Sequence, residues 1–376
     1  MTQDDNGSRK IRIGLIFGGR SAEHDVSLRS ALTIMDALDP EKFEVTPIGI
    51  TRSGEWLSGG DPMRALTAAS PMFHLGDGED SSTETLDAGA TSALVAQAGS
   101  AASASVPRGI TETVDIVFPA LHGPMGEDGT VQGMLELAGV PYVGSGVLGS
   151  AVAMDKAVTK TILEGAGLPQ IPWRLVTRKT WRADPAGVTN GVAGSLGFPC
   201  FVKPANMGSS VGISKVHGVE EFAAAMDLAA THDRRIVIER GIVGREIEIA
   251  VLGNDEPIAS VAGEVRPQGE YYDYNAKYMD DTAELIIPAP MDPELLVHMQ
   301  RLAVEAFKAL DLAGLARVDF FIERETDRVF INEVNTLPGF TSISMYPLLW
   351  AASGVPPGEL VERLVRLGLE RHTEHS

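Results

Sequence analysis

Three observations predict a mixed α/β fold with more than one domain. An apolar strand, Ile11–Phe17, runs into a glycine turn at Gly18 and Gly19, and helical periodicity follows over Val26–Leu38. Near the other end of the chain, a hairpin pattern rich in apolar residues spans Ala316–Val334. The length of 376 residues and the hydrophobic fraction of 44% suffice for two or three domains.

The first domain, residues 1–145, is predicted to be a parallel α/β unit. Two further strands, Phe43–Ile50 and Val114–Pro119, follow the first strand and helix. Within an insertion at about residues 58–109, the segment Ser82–Val106 consists mostly of Ala, Ser, Thr and Gly. Because such a segment buries little apolar surface, we expect it to be mobile or disordered and to carry no chemistry.

A second domain, residues 146–244, is indicated by a change of pattern. A helix that contains Met154, Asp155 and Lys156 leads into a link punctuated by prolines. A strand, a glycine loop and another strand follow between Pro199 and Val216.

The third domain, residues 245–376, is predicted to hold the hairpin and the last acidic cluster. Strands within Ile236–Leu252 and Val261–Val265 lead into it, and a long helix is expected over Pro293–Leu310. The three domains together predict an α/β composite fold.

A strong acidic excess limits the partners of the chain. The 51 acidic and 31 basic residues give a formal net charge of −20, which opposes binding to nucleic acid or to an anionic membrane through a broad basic face. The segment Met1–Lys10 is polar where a secretory signal would be apolar, and no apolar run reaches membrane-spanning length, so we expect a cytoplasmic protein. The single cysteine, Cys200, lies in an apolar strand, which favours a buried structural residue over a catalytic thiol.

The hairpin carries the strongest pattern of polar residues. Side chains two apart on a strand share a face, so Arg317 accompanies Asp319 and Glu333 accompanies Asn335. A turn centred on Thr326 places Asp319 opposite Glu333 and Arg317 opposite Asn335. Two opposed carboxylates repel each other, whereas a hard divalent cation would bind both together with the amide oxygen, so the pattern suits magnesium brought with a nucleotide. The alternative is a solvated outer face with scattered charges.

A second candidate is the segment Lys203–Gly212, with the sequence KPANMGSSVG. A lysine at a strand end followed by small residues can fold over phosphates and donate backbone N–H groups. A glycine-rich hairpin tip without a ligand remains an equal alternative. The turn at Gly18 and Gly19 lacks the spacing of a dinucleotide-binding fold.

Seven segments in order resemble the motifs of the D-alanine:D-alanine ligases. They are FGGRSAEHDVSL, LHGPMGEDGTVQGMLELAGVPYVGSG, MDKAVTK, KPANMGSSVG, YDYNAKY, ARVDFF and NEVNTLPGFTSISMYP. The resemblance implies an ATP-grasp fold and the joining of two D-alanines at the expense of ATP for peptidoglycan synthesis, through an acyl phosphate. It also implies a homodimer, with D-alanine and ATP as small-molecule partners. It does not cover the insertion.

The resemblance implies roles for individual residues. As ATP ligands it implies Lys156, Lys203, Glu239 and Glu246, with Glu239 as an adenine or hinge contact and Glu246 at the ribose. As ligands of Mg²⁺ or Mn²⁺ it implies Asp319, Glu333 and Asn335.

The substrate residues are implied in the same way. Glu23 would hold the ammonium of the first D-alanine, with Ser209 and Tyr278 as its partners, and His122 would help to place the substrate. Arg317 and the backbone N–H of Gly339 would stabilise the tetrahedral intermediate. The second carboxylate would be bound by Ser344, Met345 and Lys277.

The sequence departs from the commonest family pattern at Asn206-Met207, where a basic-acidic pair is frequent, and at Met345, where leucine is frequent. A D-alanine:D-lactate ligase is the nearest rival, and Tyr278 argues against it because the depsipeptide ligases lack this tyrosine segment. A protein that binds ATP or an amino acid without turnover is a second rival, against which the retained Arg317 and metal ligands argue. A nicotinamide-dependent oxidoreductase is the weakest, since the dinucleotide fingerprint is missing.

Overall fold

The computed structural model describes residues 9–70, 73, 110–208, 211–267 and 283–375, and the strands in these ranges form three sheets. The segment Ser82–Val106 lies outside the described residues. How the sheets divide the chain into domains stays a prediction, with the proposed ranges given above.

The strands are β1 Ile11–Gly18, β2 Phe43–Ile50, β3 Trp56–Leu57, β4 Ile116–Ala120, β5 Trp173–Thr177, β6 Cys200–Pro204, β7 Ser214–Val216, β8 Arg235–Arg240, β9 Gly244–Gly253, β10 Ile258–Pro267, β11 Ala283–Ile286, β12 Gly314–Glu323 and β13 Val329–Asn335. The helices are α1 His24–Ala37, α2 Pro62–Ala68, α3 Ile110–Thr113, α4 Thr130–Leu137, α5 Val147–Met154, α6 Lys156–Gly165, α7 Arg178–Ala183, α8 Pro185–Ser195, α9 Val219–His232, α10 Pro293–Ala309, α11 Met345–Ala352 and α12 Pro357–His375.

The N-terminal sheet has the order β3-β2-β1-β4, and β1 pairs in parallel with both β2 and β4. The predicted parallel unit is therefore confirmed. The antiparallel edge strand β3 was not predicted, because two residues are too few to show alternation. Gly18 ends β1 with φ of 93°, and a Cβ there would lie 2.2 Å from the carbonyl oxygen of Ile50, so the turn requires glycine.

The other two sheets are antiparallel. The order β5-β8-β6-β7 forms a sheet covered by α9, whose Phe222 and Met226 are fully buried. The order β11-β10-β9-β12-β13 forms a larger sheet, against which α10 buries Met299 and Phe307. We call these the central sheet and the C-terminal sheet.

The last helix, α12, returns to the N-terminal sheet. Its buried residues Leu360 and Leu364 share one core with Leu15 of β1 and Phe118 of β4. Helix α12 also contacts β9 and β12, so it packs against both the N-terminal and the C-terminal sheet.

The predicted helix through Met154, Asp155 and Lys156 is wrong in one respect, because the helix is broken at Asp155. The Asp155 side chain accepts hydrogen bonds from the backbone N–H groups of Ala157 and Val158 and so begins α6 as its N-cap. The capped break lets Lys156 begin a new helix with a changed direction.

The predicted pairing of the hairpin is confirmed at both polar positions. Asp319 lies opposite Glu333, and Arg317 lies opposite Asn335. A bulge at Asn332 shifts the register beyond Asp319, so the turn is centred half a residue earlier than Thr326. Cys200 is fully buried as predicted, and burial raises the pKa of its thiol to about 11.

Within the described ranges, no helix combines the length and the apolarity needed to cross a membrane.

Candidate active site

A cavity of about 280 Å³ is lined by residues of the central and C-terminal sheets and by residues that follow strands of the N-terminal sheet. The residues predicted for function that line it are Glu23, His122, Lys156, Lys203, Glu239, Glu246, Arg317, Asp319, Glu333, Asn335 and Gly339. Ser344 and Met345 are described but do not line it, and Ser209, Lys277 and Tyr278 lie outside the described residues.

One wall of the cavity contains a buried group of three charges that we call the lysine–glutamate trio. The carboxylate of Glu239 on β8 receives Lys203 Nζ of β6 at 2.6 Å and Lys160 Nζ of α6 at 3.1 Å. Burial alone would raise the pKa of Glu239, but the two ammonium groups outweigh it and lower that pKa to about 2. Both lysines therefore hold Glu239 as an anion.

The pKa values of the two lysines shift in opposite directions. Burial lowers the pKa of Lys160, and the neighbouring ammonium of Lys203 acts in the same direction. Burial acts on Lys203 as well, but the attraction of Glu239 prevails and raises the pKa of Lys203. Sequence reasoning missed Lys160, although its spacing of four residues from Lys156 puts both lysines on one side of α6.

Glu239 is predicted to be an adenine or hinge contact, and that role stays a prediction. Its side chain is only 2% exposed, and its two oxygens are taken up by the lysines of the trio. The carboxylate consequently organises cations, and its backbone and neighbours Arg240 and Gly241 form the adjoining part of the cavity wall.

Lys156 is directed at the glycine-rich loop. Its Nζ donates a hydrogen bond of 2.7 Å to the carbonyl oxygen of Met207, and its backbone N–H donates to the carbonyl of Ala205. Asp155, which caps α6, also receives Arg235 of β8 at 2.5 Å. These contacts tie the start of α6 to the central sheet.

The lining of the cavity also includes three carboxylates on neighbouring strands, which we call the carboxylate row. Asp319 on β12 lies opposite Glu248 of β9 on one side and opposite Glu333 of β13 on the other. Arg317 binds both oxygens of Asp319 at 2.7 Å, and its Nε lies 2.8 Å from Glu248. Asn335 donates its side-chain N–H to Asp319 at 3.0 Å.

Glu248 was missed by sequence reasoning. Alternation along β9 puts Glu246 and Glu248 on one face, but only the pairing of β9 with β12 reveals that Glu248 stands beside Asp319. Among the described residues, no group of three or more His, Cys, Asp and Glu side chains has a geometry suited to a metal ion. The predicted metal set is smaller, with Asp319 and Glu333 as its two acids.

Glu23 and His122 meet at the carboxyl edge of the N-terminal sheet, since they follow the parallel strands β1 and β4. Glu23 is buried, and its carboxylate lies between Gly123 and Gly208, whose hypothetical Cβ atoms would stand 2.7 and 3.1 Å from Oε2. The glycines therefore leave room for this carboxylate.

His122 connects the substrate side with the loop after β13. Its Nδ1 lies 2.9 Å from the carbonyl oxygen of Leu337, and because a carbonyl only accepts, Nδ1 carries a proton. Its Nε2 lies 3.0 Å from Ser30 Oγ, which accepts from the backbone N–H of Phe340. Ser30 was not predicted, and it joins α1, His122 and the LPGF segment.

Glu127 is a further buried acid that sequence reasoning missed. It lies 3.8 Å from His122 Nδ1 and lines the cavity. Burial and the nearby Glu23 raise the pKa of Glu127. Burial acts to lower the pKa of His122, but Glu127 and Glu23 outweigh it and raise that pKa.

The segment predicted to hold the second carboxylate forms a tight turn. Ser344 Oγ receives the backbone N–H of Thr341 at 3.0 Å and lies 2.7 Å from its hydroxyl. Ser344 precedes α11, and Met345 is the first residue of that helix. The helix start thus offers backbone N–H groups to an anion, close behind Gly339.

Comparison with known proteins identifies the chain. The family model described as D-ala D-ala ligase N-terminus matches residues 12–145, and the model described as D-ala D-ala ligase C-terminus matches residues 162–366. The D-alanine–D-alanine ligase of Geobacillus thermodenitrificans is 51% identical over 365 residues, with 97% of each chain covered.

Two solved structures have the same fold. The D-alanine-D-alanine ligase from Coxiella burnetii has a TM-score of 0.80 and 34% identity, covering 98% of this chain and 96% of that one. The VanG D-Ala:D-Ser ligase from Enterococcus faecalis has a TM-score of 0.79 and 33% identity, covering 96% of this chain and 100% of that one. The fold is the ATP-grasp fold of these enzymes, and the chain belongs to the D-alanine–D-alanine ligase family.

Proposed function

We propose that the protein joins two D-alanines into D-alanyl-D-alanine, with ATP converted to ADP and phosphate. The observation that carries the proposal is a cavity whose lining combines the cations of Lys156 and Lys203 with the carboxylates of Asp319, Glu333 and Glu23. Full-length relatives at about half identity carry the name of this activity.

The proposed reaction proceeds in two steps. A carboxylate oxygen of the first D-alanine attacks the γ-phosphorus of ATP, ADP leaves, and an acyl phosphate forms. The amine of the second D-alanine then attacks the acyl carbon, loses a proton, and phosphate leaves as the amide bond forms.

The lysines that line the cavity are suited to bind the phosphates of ATP. Lys203 belongs to a buried trio with two cations and one anion, and Lys156 begins α6 at the edge of the glycine-rich loop. Charge-assisted hydrogen bonds from such groups are stronger than neutral ones because little water competes with them. Glu246, which lines the same cavity, is proposed for the ribose hydroxyls.

Magnesium or manganese is proposed at Asp319, Glu333 and Asn335. These residues offer only carboxylate and amide oxygens, which are the donors that Mg²⁺ prefers, and all three line the cavity from two paired strands. The donor set therefore fits the ion. When bound, the ion would neutralise phosphate charge during transfer.

Glu23 is proposed to bind the ammonium of the first D-alanine, and His122 to fix the wall beside it. Arg317, which Asp319 and Glu248 hold in place, would face the negative charge that develops at the acyl carbon, together with the N–H of Gly339. Ser344 and Met345 would meet the second carboxylate at the start of α11, while the roles of Ser209, Lys277 and Tyr278 stay predictions. We also propose a homodimer in the cytoplasm, to be tested by light scattering and cell fractionation.

The test is phosphate release by purified protein with ATP, magnesium and either D-alanine or L-alanine alone, or D-alanine mixed with D-lactate or D-serine, accompanied by product identification. D-alanine should give the dipeptide, whereas L-alanine should give none. D-lactate and D-serine should give little mixed product at neutral pH. A ratio of depsipeptide to dipeptide above one would replace the proposal by the D-lactate rival, and binding of ATP without ADP release would favour a sensor.

A further inference from the structure

Lys160 does not line the cavity, yet it contacts a carboxylate that does. The side chain is fully buried, at 1% exposure, on the inner side of α6. Its Nζ lies 3.1 Å from Glu239 Oε1, while the other carboxylate oxygen receives Lys203 at 2.6 Å. Lys203 and Glu239 line the cavity, and Lys160 lies behind them.

The charges of the trio explain what Lys160 adds. Lys203 and Glu239 alone would form a neutral ion pair, whose field at the cavity is weak because the two charges cancel. Lys160 shares the charge of Glu239, so the three groups of the trio together carry one positive charge, and Glu333 at the cavity also attracts both lysines. In a buried site with little water, this excess charge acts strongly on an anion in the cavity.

Lys160 also comes from a different part of the fold than its partners. Helix α6 packs against α10 and β13 of the C-terminal sheet, whereas Glu239 and Lys203 belong to the central sheet. Ala157 of α6 packs with Ala205 and Val237 of the central sheet. The ion pair of Lys160 with Glu239 therefore spans the two sheets that form the nucleotide side of the cavity.

We propose that Lys160 is a positioning residue for the nucleotide phosphates: it fixes Glu239 and leaves the trio with one positive charge to meet them. The inference rests on the proposed ATP-dependent function. Lys160 itself does not touch the nucleotide, and it acts through Glu239 and Lys203.

The first test replaces Lys160 by neutral residues of similar length. Lys160→Met removes the charge and the donor, whereas Lys160→Gln keeps a donor toward Glu239. Both variants should raise the Kd for ADP, measured by calorimetry, and the KM for ATP by about tenfold, the usual effect of losing one charge-assisted contact. The KM for D-alanine should stay unchanged. Lys308→Met, on the exposed side of α10, is the matched control and should behave as the wild type.

Adenosine separates a charge effect from a distorted pocket. Because adenosine carries no phosphate, its inhibition constant should be the same in Lys160→Gln and in the wild type. Equal weakening of ADP and adenosine would mean that Lys160 merely supports the shape of the pocket, and the proposal would fail. It would also fail if folded Lys160→Gln bound ADP as tightly as the wild type.

A double variant tests the charge balance directly. In Lys160→Gln with Glu239→Gln, Lys203 again carries an unbalanced positive charge, so ADP should bind more tightly than to Lys160→Gln alone. A double variant that binds ADP more weakly than both single variants would contradict the proposal. The double variant removes both members of the Lys160–Glu239 ion pair, so it leaves neither of them as an unpaired buried charge. It can therefore be measured if Lys160→Met does not give soluble protein. If the wild type releases no ADP with D-alanine, the proposed function fails, whereas the ADP binding measurements still decide the role of Lys160.

Discussion

The lysine–glutamate trio and the carboxylate row are two charged groups at the cavity, and they differ in the sign of their excess charge. The trio surrounds one anion with two cations, each at ion-pair distance. The row places three carboxylates on adjacent strands, with Arg317 contacting two of them. Both groups are largely buried, and the carboxylate of Glu333 in the row also attracts Lys160 and Lys203 of the trio.

This difference shows how a fold can prepare for a ligand that carries both signs of charge. Buried like charges oppose folding, and a protein retains them where a ligand later compensates for them. The trio has an excess that suits phosphates, and the row has an excess that suits a cation. Variants of the two groups test whether the trio interacts with the phosphates and the row with a cation.

The largest effect is expected from the row. Glu333→Gln should lower the rate of ADP release at least about a thousandfold, because it removes one carboxylate of the proposed metal set. The melting temperature should stay the same or rise slightly, since the substitution relieves repulsion between Glu333 and Asp319. Glu325→Gln, exposed in the turn of the same hairpin, is the control. A Glu333→Gln enzyme with near wild-type activity would contradict the proposed metal site at the carboxylate row.

The next effect concerns the one cation of the row. Arg317→Lys keeps the charge but loses the two parallel bonds to Asp319 and the contact with Glu248, so kcat should fall about a hundredfold while the KM for ATP changes little. Steady-state kinetics with both substrates varied would measure this. Arg324→Lys at an exposed position supplies the comparison. A rise in the KM for ATP alone would instead indicate that Arg317 binds the nucleotide. Nucleotide binding would then not be confined to the trio.

A smaller effect on stability is expected from the trio. The pKa of Glu239 is lowered to about 2 from an ordinary value of 4.5, so its stabilising contribution is present above about pH 4.5 and is lost as the pH falls toward 2. Glu239→Gln should therefore lower the unfolding free energy at neutral pH by a few kcal/mol, on the order given by a shift of this size. The difference from the wild type should shrink between pH 4.5 and 2 in urea unfolding. A difference that is constant over this range, or one matched by exposed Glu256→Gln, would show that Glu239 is not held as an anion by the lysines.

The smallest effect is expected far from both groups. Deletion of Ser82–Val106, which lies outside the described residues, should change kcat and both KM values less than about twofold, because such a polar, small-residue segment buries little area. Loss of soluble protein on deletion would show that the segment supports the fold, and a selective loss of ATP binding would connect it to the trio.

The row could largely be predicted from the sequence, whereas the trio could not. Alternation and one turn fix the neighbours within a hairpin, so the opposition of Asp319 and Glu333 followed from spacing alone. The bulge at Asn332 escaped prediction because a bulge leaves no repeat in the sequence. Glu248 reaches the row from a strand far away in the chain, and such a pairing is set by tertiary packing.

The trio depends on a helix that the sequence placed wrongly. Asp155 looked like an interior helical residue, and only its hydrogen bonds to Ala157 and Val158 reveal the break that lets α6 start anew. The ion pair of Lys160 with Glu239 then depends on how α6 lies against the central sheet. Strand, helix and turn signals are local, whereas this contact is not, so the overall α/β class was easier to predict than the partners of a buried charge.

The two glycines beside Glu23 have a consequence for natural variation. Gly123 and Gly208 are distant in the chain, yet a methyl group on either would approach the same carboxylate oxygen. At position 208 the oxygen is the nearest obstacle and belongs to a side chain that can swing aside, so alanine there would leave the fold intact and displace the negative charge. A survey of substitutions at position 208 should therefore find variants that are expressed normally but have low activity. The cause would be the displaced carboxylate of Glu23, which lies beside both glycines.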